Sequence, residues 1–181
     1  ADVLLVNSPH LPNIGLIAET SRGKLSCHLD LHAQDDRRAM DALVSKADVF
    51  VQGYRPGGLE ALGYGPQALA ARRPGIVVVS LSAYGEQGPW AQRRGFDSLV
   101  QTATGFNLAE AEAAGAEKPQ ALPMQILDHA SGYLMAFATA AAKVRQLQEG
   151  GSWHVRVSLA QTAHWLRGLG RVPSGFARTA P

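Results

Sequence analysis

A single cysteine, Cys27, stands among 181 residues, so no intramolecular disulfide framework exists. The chain suits a reducing compartment or carries a buried thiol, and burial is the expectation. No run of Lys or Arg is long enough to track a phosphate backbone, and the formal net charge is only +2; nucleic acid is therefore not an expected partner, while small anions remain open. The longest apolar stretch, Leu134 to Ala142, is too short to cross a bilayer and contains Thr139. These features lead us to expect a soluble, cytoplasmic protein with no membrane partner. No G-x-G-x-x-G opens a helix after the first strand, and no G-x-x-x-x-G-K-S/T occurs, so the dinucleotide and nucleoside-triphosphate signatures are missing. The six histidines pair with no cysteine cluster, and no metal is expected.

What is present suits one α/β domain across residues 1–181, with 46% of residues hydrophobic and 18% charged. Val3-Leu4-Leu5-Val6, closed by Asn7-Ser8-Pro9, reads as a buried strand ending at a turn. From Asp35 to Ala47, the residues Met40, Leu43, Val44 and Ala47 recur at helical spacing, with Asp35 and Asp36 near the positive end of the dipole. Val49-Phe50-Val51 predicts a second strand, broken by Gly53-Tyr54-Arg55-Pro56-Gly57-Gly58. A short helix over Gln67–Arg73 ends at Pro74-Gly75, and Ile76-Val77-Val78-Val79-Ser80-Leu81 predicts a third strand. This alternation implies a parallel sheet with crossover helices, a Rossmann-like arrangement. The Ala/Glu/Gly-rich stretch Ala109–Gln120 lacks an apolar period and is expected to be a mobile surface loop. Asp128–Leu147 predicts a long helix buried on most sides, ended by Gly150-Gly151. A half-exposed strand over His154–Leu159, a short helix near Thr162–Arg167 and a Pro/Gly tail follow.

In open parallel sheets ligands bind beyond the carboxyl ends of the strands, so the residues after Leu5, Val51 and Leu81 come first. The turn Gly53-Tyr54-Arg55-Pro56-Gly57 offers an aromatic face, a guanidinium and backbone N–H groups suited to an adenine ring and a phosphate. The residue pattern alone favours an ordinary strand-to-helix turn. Asp128 stands at the start of the long helix, where two readings are open: an N-cap worth about 1 kcal/mol, or a carboxylate nucleophile or base stabilised as an anion by the helix dipole. The pattern alone favours the cap.

Taken in order, several segments carry a likeness to a known family. They are Ser21-Arg22-Gly23-Lys24-Leu25-Ser26, Leu29-Asp30-Leu31, Ala47-Asp48-Val49 with Gly53–Gly57, and Val78-Val79-Ser80-Leu81-Ser82-Ala83-Tyr84-Gly85. Gly88-Pro89, Gly95-Phe96-Asp97, Asp128 with Gly132, and Gly151-Ser152-Trp153-His154-Val155-Arg156-Val157-Ser158-Leu159 complete the set. Together they resemble class III CoA-transferases, the family of carnitine CoA-transferases, formyl-CoA transferases and α-methylacyl-CoA racemases.

The resemblance implies that the chain corresponds to part of that family's large domain, without the family's N-terminal segment and small domain. It implies CoA as substrate rather than a metal cofactor, with CoA lying against Leu29, Asp30, Leu31 and His32 and against Gly53, Tyr54 and Arg55. Arg94, Gly95, Phe96 and Asp97 would lie nearer the pantetheine. Asp128 matches the catalytic aspartate, whose carboxylate would attack an acyl-CoA and form an aspartyl-CoA thioester before a carboxylic acid acceptor takes the CoA. The family also implies a homo-oligomer or a complementary chain. Departures are visible: Gln52 and Gly53 replace the usual Glu and Asn, Asn7 and Ser8 stand where charged residues are usual, and Phe96 replaces the racemases' His. A non-catalytic homologue that keeps the fold for CoA binding or assembly is the alternative. A nicotinamide-dependent reductase rests on the βαβ pattern alone.

Overall fold

The computed structural model describes residues 2–11, 15 and 20–172. Five strands and seven helices are described: β1 (Leu4–Asn7), β2 (Leu25–His28), α1 (Gln34–Val44), β3 (Val49–Gln52), α2 (Gly58–Ala61), α3 (Pro66–Arg72), β4 (Val77–Ser82), α4 (Asp97–Ala103), α5 (Phe106–Ala114), α6 (Ile126–Glu149), β5 (Trp153–Ser158) and α7 (Leu159–Gly168). The Pro/Gly tail from residue 173 onward lies outside the described residues.

All strand pairs are parallel, but the expected single sheet is two. β1 pairs with β2, and β3-β4-β5 form a second sheet with β4 in the middle. β4 is Val-rich and its first four residues are buried, as a strand covered on both faces requires. Three apolar clusters flank it, the third setting Val77 and Val79 against Ala142 of α6. The first gathers Met40 and Val44 of α1, Leu69 of α3, Tyr64, Ile76 and Val78, with Val6, Leu29, Leu31 and Phe50 packed against it. The second joins Val100 of α4, Leu127 of α6 and Leu159 and Ala163 of α7, with Leu81, Ala83 and Tyr84 against them.

Local chemistry explains most boundaries. Pro66 opens α3 with its φ already set. Ser158 caps α7, its Oγ accepting the Gln161 N–H at 3.2 Å. Gly150 and Gly151, both at positive φ, end α6.

Several expectations need correction. The stretch expected as a mobile loop is partly helical: α5 runs Phe106–Ala114 between Gly105 (φ 81°) and Gly115 (φ 65°), because Ala and Glu are strong helix formers even without an apolar stripe. Cys27 is half-buried rather than buried. α6 is not covered on most sides, since Tyr133 is 81% exposed and Leu147 85%, with Phe137 and Val144 also open. Asp128 is not an N-cap. The helix starts two residues earlier, Gln125 holds the cap position, and Asp128 lies within the first turn. β2, α2 and α4 lacked a readable period, being short and packed by tertiary contacts.

Candidate active site

The loop after β4 delivers the site. Ser82 Oγ accepts the Gly85 N–H at 3.0 Å, starting the turn. Tyr84 meets Trp90 edge to face at 5.0 Å, and the Arg93 guanidinium lies 4.7 Å over the Trp90 ring. Gly95 passes so close to β4's end that an added Cβ would sit 2.5 Å from Ala83 Cβ. α4 begins two residues later, with Phe96 turned out to 77% exposure and Asp97 turned in, 1% exposed.

Asp97 then reaches α6. Its Oδ2 accepts the backbone N–H of Asp128 at 2.8 Å, and its Oδ1 accepts from Gln101 Nε2. Since Gln125 supplies no side-chain cap, an anion from α4 satisfies one of the unpaired N–H groups of α6's first turn, where the dipole favours negative charge. Gln101, 2% exposed, also donates to the Met124 carbonyl at 3.1 Å and accepts the Leu122 N–H at 3.2 Å. Ser131 and Thr162 share a buried hydroxyl contact of 2.8 Å that fixes α6 to α7.

Asp128 itself is exposed. Its carboxyl is nonetheless pushed above the ordinary 3.8, first by crowding from protein and then by the like charge of Asp97, with His129 opposing. Because the side chain still meets solvent, it is a raised but accessible carboxyl, not a deeply buried acid. Such a group, in the first turn of a long helix whose dipole favours negative charge, has the chemistry of a carboxylate nucleophile.

The other expected residues gather elsewhere. Leu29 donates its N–H to the Asn7 carbonyl at 2.9 Å, and Leu29 and Leu31 pack on the first cluster. Asp30 accepts the His32 N–H at 3.0 Å and meets His10 Nε2 at 3.1 Å. These contacts, the His32 N–H foremost, hold its carboxyl below 3.8. His28 and His32 stand four apart, a helical ligand spacing, but they fall on a strand end and a turn; among the described residues no group of three His, Cys, Asp or Glu could hold a metal. After β3, Gln52 Oε1 accepts the Tyr54 N–H at 2.8 Å, so the substituted Gln serves the turn locally. Gly53, Tyr54 and Arg55 are exposed, as is Arg94. Asp97 does not fit direct contact with CoA, since both of its oxygens are turned inward. Gly95 lies against Ala83, Tyr84 and Val100 of the second cluster and Asp128 follows its Leu127, whereas Leu29 and Leu31 pack on the first. Gln101 was missed from sequence; its only signal was the i,i+4 spacing from Asp97.

No helix among the described residues is long and apolar enough to cross a membrane. The model of CoA-transferase family III matches residues 11–170. A probable fatty acyl-CoA transferase of Mycobacterium tuberculosis is 36% identical over 143 residues, 79% of this chain and 36% of that protein. An acetyl-coenzyme A transferase of Hypoxylon pulicicidum is 30% identical over 171 residues, 92% of this chain and 29% of that one. A crystal structure of the mycobacterial protein superimposes with a TM-score of 0.82 at 31% identity, covering 93% of this chain and 50% of that chain. The chain thus spans about a third of the length of these curated relatives and about half of the solved one. The parallel strands, the ordered motifs and the family match agree: this chain belongs to CoA-transferase family III.

Proposed function

We propose that the chain is part of the large domain of a CoA-transferase, with Asp128 as nucleophile, moving CoA from an acyl-CoA to a carboxylic acid. The observation that carries this reading is the accessible Asp128 carboxyl in the first turn of α6, its backbone held by the buried Asp97. The names of the relatives, a fatty acyl-CoA transferase and an acetyl-coenzyme A transferase, supply the donor class. CoA is held by Leu29 to His32, Tyr54, Arg55 and Arg94, in the cytoplasm.

The Asp128 carboxylate adds to the thioester carbonyl carbon, the C–S bond breaks, and a mixed anhydride and a thiolate result. The aspartyl carbonyl carbon of that anhydride then takes the thiolate and the donor acid leaves as a carboxylate, giving the aspartyl-CoA thioester. The acceptor carboxylate attacks the same carbon and expels the thiolate. The acceptor's acyl carbon captures that thiolate, and Asp128 is released as a carboxylate. No proton is gained or lost overall. The positive end of the α6 dipole favours the negative charge of the oxyanions formed on the way.

Incubation with acetyl-CoA and hydroxylamine tests this. The Asp128 peptide should carry a hydroxamate in the parent and none in Asp128→Asn, which keeps the side chain's shape. Transfer that persists in Asp128→Asn would overturn the assignment. CoA binding without hydroxamate would move the reading to a non-catalytic homologue.

A further inference from the structure

We propose that Gln101 and Asp97 of α4 form a positioning pair that sets the proposed nucleophile, holding Asp128 by its backbone N–H and pinning the segment that leads into it. The proposal rests on the reading of Asp128 as the nucleophile but draws on geometry independent of it. Gln101 spends its amide on three partners: Nε2 on the Asp97 carboxylate and on the Met124 carbonyl, and Oε1 on the Leu122 N–H. These partners fix which end of the amide faces which way, because the Leu122 N–H needs an oxygen and the Met124 carbonyl needs a donor. The Asp97 oxygen facing Gln101 must therefore accept, and the other oxygen accepts from Asp128. Both side chains are nearly fully buried, where an unpaired polar group is costly, so the arrangement is all-or-none. The loop before α6 and the helix's own first turn are thereby referred to one rigid element, α4, which packs through Val100 onto Leu127.

The charges acting on Asp128 are few. Asp97 comes from α4 and His129 from α6 itself. α7 meets α6 here through the Ser131 and Thr162 hydroxyls, and its Arg167 is engaged with the Thr104 carbonyl. Asp97→Asn removes a like charge while keeping an oxygen for the Asp128 N–H, but sets an amide NH2 or a flipped Gln101 against a wrong partner. Gln101→Leu removes the link to Leu122 and Met124 and leaves Asp97 unsupported.

The test uses three readouts on the parent, Asp97→Asn and Gln101→Leu, each checked for native circular dichroism. Exchange of the Asp128 amide hydrogen should speed up about tenfold or more in Gln101→Leu, the scale of a lost charge-assisted hydrogen bond. The carbon-13 titration midpoint of the Asp128 carboxyl should fall in Asp97→Asn, a change that a merely structural role would not produce. Hydroxamate formation at Asp128 should slow about tenfold in both variants, with CoA affinity unchanged. Parent-like exchange in Gln101→Leu together with a parent-like midpoint in Asp97→Asn would overturn the proposal. A parent that forms no hydroxamate, while exchange and titration change as stated, would remove the nucleophile reading and leave the positioning of Asp128 standing. If Asp97→Asn does not fold, exchange in Gln101→Leu and the Asp128 midpoint in Asp97→Glu decide: Glu keeps the charge, so a midpoint near the parent's supports the proposal and a fallen one opposes it.

Discussion

The Ser80 hydroxyl and His154 Nε2 meet at 2.9 Å between β4 and β5. Glu86, on the loop after β4, brings one oxygen to 3.9 Å from the same nitrogen and the other to 3.4 Å from Arg156. The loop that delivers Gly95 and Asp97 is thus tied back to β5 near its root. Desolvation, partly offset by Glu86, holds the His154 imidazole below its ordinary 6.5.

A depressed histidine pKa makes the unfolded state the tighter proton binder, so stability from His154 is fully present above pH 6.5 and is lost as pH falls through the folded value. Urea midpoints measured between pH 7.5 and 5 should fall toward acid in the parent and fall less in His154→Gln. Asp30, also depressed, acts only below its ordinary 3.8 and does not confuse this window. Parallel curves for the two proteins would exclude His154 as the source.

Gly95→Ala should destabilise through overpacking. Its new Cβ would meet Ala83 at 2.5 Å, Tyr84 at 3.0 Å and Val100 at 3.2 Å, and two of these neighbours belong to the strand end and the helix rather than to flexible tips. We expect a loss of about 1–3 kcal/mol by urea denaturation. A loss below about 0.5 kcal/mol would show that the loop relaxes freely.

Phe96 predicts an absence of racemase chemistry. Its ring is 77% exposed and carries no exchangeable proton, whereas racemisation needs a second acid–base group opposite the aspartate. One epimer of a 2-methylacyl-CoA in deuterated water should show neither epimerisation nor α-deuterium incorporation. Rapid exchange would favour a racemase over a transferase.

The open face of α6 predicts self-association. Tyr133, Phe137, Val144 and Leu147 are spaced by four, seven and three residues, which places them along one stripe, and all are exposed. Light scattering at high protein concentration should give a mass above the monomer, and Phe137→Glu with Leu147→Glu should lower it. A parent that stays monomeric would count against a role for this stripe.

Strands with a run of Val and Ile, such as Val77–Val79, were legible because β-branched residues suit a twice-covered strand whatever surrounds it. α5 was not, because helix propensity without an apolar stripe looks like a loop. Asp128 was legible as a residue placed near a helix start, but its place inside the first turn was not. A sequence shows which residue can cap a helix, not that Asp97 from another helix does so.

By itself, then, the sequence determined the parallel strand pattern, the family likeness and the identity of the candidate carboxylate, since these depend on local periodicity and on residue types in order. Only the tertiary structure decided that Asp97 faces inward to α6 instead of outward to a ligand, that Gln101 links it to Leu122 and Met124, and that Ser80, Glu86 and His154 meet. The physical reason is the same in each case. Buried polar groups must find partners, and which partners are within 3 Å or so depends on packing between elements distant in the chain.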